Sequence, residues 1–204
     1  MKNNALLPSV YLGSVQYFSK LLSYPSVMIE HYEHFPKQTY RNRCNIYGAN
    51  GLLSLSIPLE KRKEKTITKD IRISYENNWQ KIHWRSLESS YRCSPFFEYY
   101  EDDLAPFYTK KINYLVEFNE AMLELIMRLT GIKKKFLYTT EYHQNYPDTD
   151  DFRKSISPKI NFEHDTDFTC KPYLQVFENK SGFIPNLSII DLLFNQGNDS
   201  IDFI

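Results

Sequence analysis

Glycine is scarce: the 204-residue chain has six. Neither GxGxxG nor GxxxxGK[ST] occurs, so a glycine-rich loop cradling phosphate is excluded. Cysteine is scarcer still. Cys44, Cys93 and Cys170 are widely spaced and form no CxxC pair, which excludes a zinc knuckle or a redox dithiol and suits the reduced thiols of a cytoplasmic protein. An excess of either charge is also missing, with 25 basic and 25 acidic residues. A nucleic-acid binder would carry a basic surplus or stripe, so that class is set aside. No apolar run reaches membrane-spanning length. Residues 1–8 lack the apolar core and cleavage site of a secretory signal. The expectation is a cytoplasmic protein with no membrane insertion and no cofactor.

What is present is a core-forming share of hydrophobic residues, 42%, and many aromatics, 16%, with Tyr ahead of Phe at 16 to 14. Tyr joins a large apolar ring to a polar tip and suits pocket walls. The length fits one domain over residues 1–204. Apolar spacing predicts a helix over 9–24, ended at Tyr24-Pro25, then a buried strand over 26–30. Strands over 43–47 and 52–58, joined across Asn50-Gly51, predict a hairpin over 43–58. Residues 60–65 are a charge run that reads as a solvated loop, and 70–75 alternate like a half-buried strand. A helix follows, capped by Asn77 or Asn78, with Trp79, His83, Leu87 and Tyr91 on one face. Residues 96–108 read as irregular. The stripe Ile112, Leu115, Asn119, Met122, Ile126, Leu129 marks a long helix with Gly131 as its cap. A strand over 135–140, a long loop or insertion over 143–169, a strand over 173–177 and a short helix over 189–194 complete the chain. Helices and strands do not alternate regularly, which speaks against a doubly wound sheet. The class predicted is α+β: a single domain with a mixed or antiparallel sheet packed by three or four helices.

The densest chemistry lies over residues 31–45. If a strand starts at Arg41, Arg41 and Arg43 share a face about 7 Å apart. They then form an anion clamp with Lys37, or they pair with internal acids such as Glu30 and Glu33. His31 and His34 are three apart and Pro36 forbids a helix, so a metal pair is not expected; either remains a candidate general base. His83, on the inner face of its helix, is a core-edge histidine or the catalytic base. Asn119 interrupts an apolar stripe and needs partners, since an unpaired buried amide costs about 1–3 kcal/mol; it either ties elements together or reaches into a pocket. The two DxD triplets, Asp148–Asp150 and Asp165–Asp167, read as turn caps.

The chain resembles the WbqC-like protein family over nearly its full length. The resemblance is carried by Leu7-Pro8-Ser9-Val10-Tyr11-Leu12 with Gln16-Tyr17-Phe18, by Lys37-Gln38-Thr39-Tyr40-Arg41-Asn42-Arg43, and by Trp79, His83-Trp84 and Tyr91. Ser94-Pro95-Phe96-Phe97, Asn119, Thr139-Thr140-Glu141 and Asn186-Leu187-Ser188-Ile189-Ile190-Asp191-Leu192-Leu193 continue it. Members occur among surface-polysaccharide (O-antigen) genes. The resemblance implies a transferase that moves an aminoacyl, possibly glycyl, or sugar group. Its anionic small-molecule substrate is a nucleotide sugar or an acyl or amino-acid donor. Lys37, Tyr40, Arg41, Asn42, Arg43, Tyr91 and Asn119 would bind it, and His83 would deprotonate the acceptor. The other implied reading is a non-catalytic binding or scaffold protein of the same pathway. Where many members carry an aspartate pair and a glutamine before the lysine, this chain has His31, Tyr32 and His34.

Overall fold

The computed structural model describes residues 3–204. The α+β class holds: among the described residues six α-helices accompany a four-stranded sheet and a separate two-stranded hairpin. The hairpin pairs β3 (Arg43–Gly48) with β4 (Gly51–Ser56) in antiparallel register, Arg43 opposite Ser56 and Gly48 opposite Gly51. Gly51 takes φ +100°, a conformation that L side chains rarely adopt.

The larger sheet is parallel throughout, in the order β5-β2-β1-β6. Its centre is β1 (Asn4–Pro8), flanked by β2 (Ser26–Glu30) and β6 (Thr149–Asp151), with β5 (Leu137–Tyr138) outside β2. Helix α1 (Val15–Ser23) is the crossover that parallel neighbours require. It starts later than the apolar spacing suggests, because residues 9–13 form the turn that leaves β1. β6 lies inside the stretch expected to be a long loop, so residues 143–169 contribute an edge strand as well as loop. The expected strands over 70–75 and 173–177 reduce to isolated bridges and extended chain; Ile73 bridges Leu59 and Arg72 bridges Tyr114.

Helix α2 (Trp79–Tyr91) buries the predicted face. Residues 97–104, read as irregular, are helix α3 (Phe97–Leu104), whose Phe97, Tyr100 and Leu104 are buried at helical spacing. Helix α4 (Leu115–Leu129) buries Leu115, Asn119, Met122 and Ile126 on one stripe, and Gly131 follows it at φ +72°. A single turn, α5 (Glu178–Ser181), precedes α6 (Ile189–Gln196), whose cap Ser188 accepts from the Ile190 amide. α6 meets α1, α3 and β3. Its Asp191, fully buried, accepts from the hydroxyls of Tyr91 (2.6 Å) and Tyr173 (2.7 Å) and from Gln175 Nε2 (3.1 Å). Tyr91 Oη also accepts from the Tyr47 amide at 3.1 Å. One carboxylate thus joins α2, α6, the hairpin and the C-terminal loop. Among the described residues no helix is long and apolar enough to cross a membrane.

Candidate functional site

A parallel sheet gathers the loops that follow its strands along one edge, and ligands bind there where neighbouring connections diverge. Here that edge carries Ser9 after β1, His31 after β2, Thr139 after β5 and Arg153 after β6. The edge is built from charged and polar side chains that are largely buried. Glu30, fully buried, accepts from Arg153 Nη1 (2.9 Å), the Thr139 hydroxyl (2.9 Å) and the Tyr32 amide (2.7 Å). Thr139 in turn accepts from the His31 amide at 3.1 Å. Arg153 also forks onto Asp151, with Nη2 2.6 Å from Oδ2. Arg153's hydrogen bonds hold the Asp151 carboxyl below its ordinary value even though burial pushes the other way.

Arg41 enters this network from the opposite side. It lies in the turn before β3, so the strand that would set it beside Arg43 begins two residues too late. Its guanidinium is 1% exposed and donates through Nε to Glu33 Oε1 (2.6 Å) and through Nη2 to the Arg153 carbonyl (3.0 Å), with Nη2 also 2.5 Å from the same Glu33 oxygen as an ion pair. Burial pushes Glu33 up and Arg41 down, and their mutual attraction opposes both shifts. Of the two expectations for Arg41, the geometry is that of pairing with an internal acid. Asn119 fastens the arrangement: its Nδ2 donates to the Arg41 carbonyl (2.9 Å) and Ser9 Oγ (3.2 Å).

Among the described residues, two buried polar atoms around this edge have no partner: Asn119 Oδ1 and Tyr17 Oη. Burial raises the Tyr17 pKa, nearby Tyr138 raises it further, and the Arg41 charge lowers it. His31 stacks on Tyr138 with ring centres 4.5 Å apart. Its Nε2 stands 3.0 Å from Glu120 Oε1, without an aligned hydrogen bond. Burial lowers the His31 pKa to about 4, so the ring is neutral at physiological pH. Burial, with Glu124 and Glu117 nearby, raises Glu120 to about 7. The pair is therefore a neutral imidazole beside a carboxyl poised to exchange protons near neutrality. A cleft of about 140 Å³ opens alongside, lined by Met28, Tyr138, Thr139, Glu141, His143 and Tyr146 among others.

The remaining candidates are dispersed. Lys37 is exposed and lines a separate cleft of about 570 Å³ with Phe35, Leu59 and the charge run Glu60–Glu64, where Arg62 lies 4.6 Å over the Phe35 ring. Tyr40 is buried and its carbonyl accepts from the Tyr11 amide. Asn42 donates to the Ile57 carbonyl at 2.8 Å, and Tyr91 is held by Asp191. Arg43, half-buried on β3, leaves Nε without a partner. His83 is 3% exposed among Tyr11, Trp79 and Tyr108. Its Nδ1 meets the Tyr11 hydroxyl at 3.1 Å, and a further hydrogen bond reaches the Ser56 backbone. Burial lowers its pKa to about 4. Arg41, Arg43 and His83 thus do not form one open wall. Tyr17, Glu120, Tyr138 and Arg153 were not singled out as site residues from sequence. Tyr17 and Thr139 lay in motifs shared with the family, whereas Glu120 and Arg153 gave no signal. No group of three His, Cys, Asp or Glu side chains among the described residues is placed to hold a metal ion.

The family model for the WbqC-like protein family matches residues 9–164 and 144–203. The chain is also similar to the uncharacterized protein Rv1507c of Mycobacterium tuberculosis (strain ATCC 25618 / H37Rv), at 25% identity over 227 aligned residues, covering 100% of this chain and 98% of that one. No solved structure matches it. With the match reaching from the turn after β1 to the last helical turn, the chain belongs to the WbqC-like protein family.

Proposed function

We propose that the protein is a cytoplasmic transferase of surface-polysaccharide biosynthesis. It moves an aminoacyl or sugar group from an anionic, activated donor to an acceptor held at the carboxyl edge of the parallel sheet. The observation that carries this reading is two buried, unpartnered polar atoms, on Tyr17 and Asn119, near the His31–Glu120 pair. An unsatisfied buried group costs about 1–3 kcal/mol, and such costs are kept where a ligand completes the set. Glu120, close to neutrality, is better matched to accept the acceptor's proton than His83, which is enclosed by rings. The donor's charge is assigned to the second cleft, where Lys37, Lys61, Arg62 and Lys63 face only Glu60 and Glu64. Phe35, on its wall, lies four residues from His31, a span on the order of 13 Å for extended chain, which a sugar joined to a diphosphate covers.

The alternative of a binding or scaffold protein draws on one observation, the internal saturation of Arg41 and Arg153 by Glu33, Glu30 and Asp151. Tyr17→Phe separates the two. Deleting an unpartnered hydroxyl leaves stability unchanged or raises it by up to about 1 kcal/mol, and a transferase loses turnover by about tenfold or more. The substrate for that assay comes from thermal-shift screening of nucleotide sugars, acyl-CoAs and amino acids, since a ligand of the native state raises Tm by mass action. Full turnover in Tyr17→Phe, or no turnover with any ligand that binds, refutes the transferase reading.

A further inference from the structure

We infer that a cleft on the outer side of α4 binds the chain of an anionic amphiphile, a fatty acyl carboxylate, apart from the site at the sheet edge. The cleft measures about 250 Å³. Its floor is Pro106 and Phe107 of the turn Ala105–Tyr108, Ile112, and Ala121 of α4, all half-buried. Ala121 is two residues past Asn119, which turns it about 160° away around a helix. Helix α4 therefore stands between the cleft and the edge where Asn119 holds Arg41. The cleft's shape is fixed in advance. The Phe107 ring packs edge-on against Phe118, with ring centres 5.6 Å apart. Gln80 Nε2 donates to the carbonyls of Phe107 (2.9 Å) and Lys110 (2.7 Å). Tyr75 Oη donates to the Ile112 carbonyl (2.8 Å) and accepts from the Ile112 amide (2.9 Å).

Those bonds also select the ligand's chemistry. They occupy the backbone groups beside the floor, and the floor's own side chains carry no polar atom. A sugar ring or a nucleobase would lose its water there without replacement, whereas a hydrocarbon gains by burial. The other lining residues are Lys110 and Lys111, both exposed, and no acid lines the cleft. Among the described residues neither ammonium group is paired with a carboxylate. Lys111 Nζ lies 5.2 Å from the Tyr75 ring centre, a partner that leaves its charge unneutralised. An apolar floor under a cationic rim complements an apolar body with an anionic head. The volume equals that of about eight liquid waters. A methylene is roughly as large as a water, so a segment on the order of eight carbons fills the cleft.

The test is a calorimetric and NMR titration of the full chain with octanoate below its micellar concentration, with 1-octanol as the uncharged match. Octanoate is expected to bind saturably, with amide shifts centred on Ala121. From hexanoate to octanoate the affinity rises by up to about fourfold per methylene, and octanol binds about fivefold more weakly than octanoate. Lys110→Gln with Lys111→Gln, both on exposed side chains, lowers octanoate to the level of octanol. Ala121→Glu places a carboxylate in the floor and abolishes octanoate binding, while its Tm confirms that the chain is folded. Equal binding of octanol and octanoate by the parent, affinity independent of chain length, or undiminished binding in Ala121→Glu overturns the inference. A dimer that Ala121→Glu dissociates in sedimentation also overturns it, because the cleft then belongs to a second copy. Retention on anionic vesicles without binding of monomeric octanoate overturns it as well, because the face then serves a membrane surface. None of these outcomes bears on the transferase reading, whose site lies across α4.

Discussion

Replacing Arg41 with Met strands a carboxylate, and the cost can be worked from the contacts. Glu33 loses both of its contacts with the guanidinium, at 2.6 and 2.5 Å, and the Arg153 carbonyl loses its donor at 3.0 Å. Glu33 is 8% exposed, so without Arg41 it escapes the desolvation penalty by taking up a proton. That escape caps the cost. From an ordinary carboxyl value of 4.5 to pH 7 is about 2.5 pH units, at about 1.4 kcal/mol each, or about 3.5 kcal/mol. The orphaned carbonyl adds about 1 kcal/mol. Arg41→Met is therefore destabilised by up to about 4–5 kcal/mol at pH 7. The gap narrows to about 1–2 kcal/mol at pH 5, because protonating Glu33 there is nearly free. Adding Glu33→Met removes the stranded charge and restores most of the loss, as desolvation outweighs attraction in a buried pair. Urea unfolding of the four proteins of this cycle at both pH values measures it. If Arg41→Met unfolds within about 1 kcal/mol of the parent while ligand binding collapses, Arg41 is an anion-binding residue and the ion-pair argument is wrong.

Other consequences follow from the same kind of accounting. His31 and His83, held near 4 by burial, bind protons near 6.5 once unfolded. The unfolded state therefore takes up more protons between about pH 6.5 and 4, and stability falls with acid across that window, by up to about 3 kcal/mol per histidine. His83→Gln removes about one proton from that slope in urea titrations over pH; an unchanged slope refutes it. Asp191→Ala leaves Tyr91, Tyr173 and Gln175 without their acceptor and lowers unfolding free energy by about 3–5 kcal/mol; a loss under about 1 kcal/mol counts against the node. Gly197→Ala sets a methyl 2.6 Å from Phe96 Cε1 at φ +57°, whereas Gly182→Ala, at φ +75°, meets nothing within 4 Å. The first costs about 2–4 kcal/mol and the second about 1 kcal/mol, so their Tm values must separate.

The features legible in sequence are those with a local cause. Asn50-Gly51 set the hairpin, and the stripe through Leu115, Asn119, Met122 and Ile126 set α4 apart from its first expected residue, Ile112, which precedes the helix. Helix α3 also had its signal, in Phe97, Tyr100 and Leu104, but neighbouring acids and aromatics masked it. β6, Thr-Asp-Asp, has no apolar pattern at all. It is a strand because β1 offers it a backbone ladder from Asn4 to Leu6, a long-range cause that no local reading contains. The same distance hid the site. Arg153 arrives from a segment that looks like loop, and Glu120 is an ordinary helical acid until His31 stands 3.0 Å away.

The segment from His31 to Phe35 shows why the site belongs where it is. Its burial alternates, with His31, Glu33 and Phe35 inward and Tyr32 and His34 outward, the period of an extended strand. Hydrogen bonds to the facing chain hold it so: the amides of Lys69 and Thr68 donate to the carbonyls of His31 and Glu33, and the Phe35 amide to that of Thr66. A strand of this kind ordinarily turns apolar side chains inward. Here two of the three inward positions are a histidine and a glutamate. Each is desolvated against its chemical preference, His31 toward the neutral ring and Glu33 against its charge. Apolar residues would have filled those positions at less cost to folding. A local rule broken twice in five residues, beside unpartnered atoms on Tyr17 and Asn119, is the pattern of a site kept for a ligand. Phe35, the inward position that obeys the rule, carries the chain on to the cationic cleft at Lys37 and Arg62, so one extended segment connects the two halves of the proposed reaction.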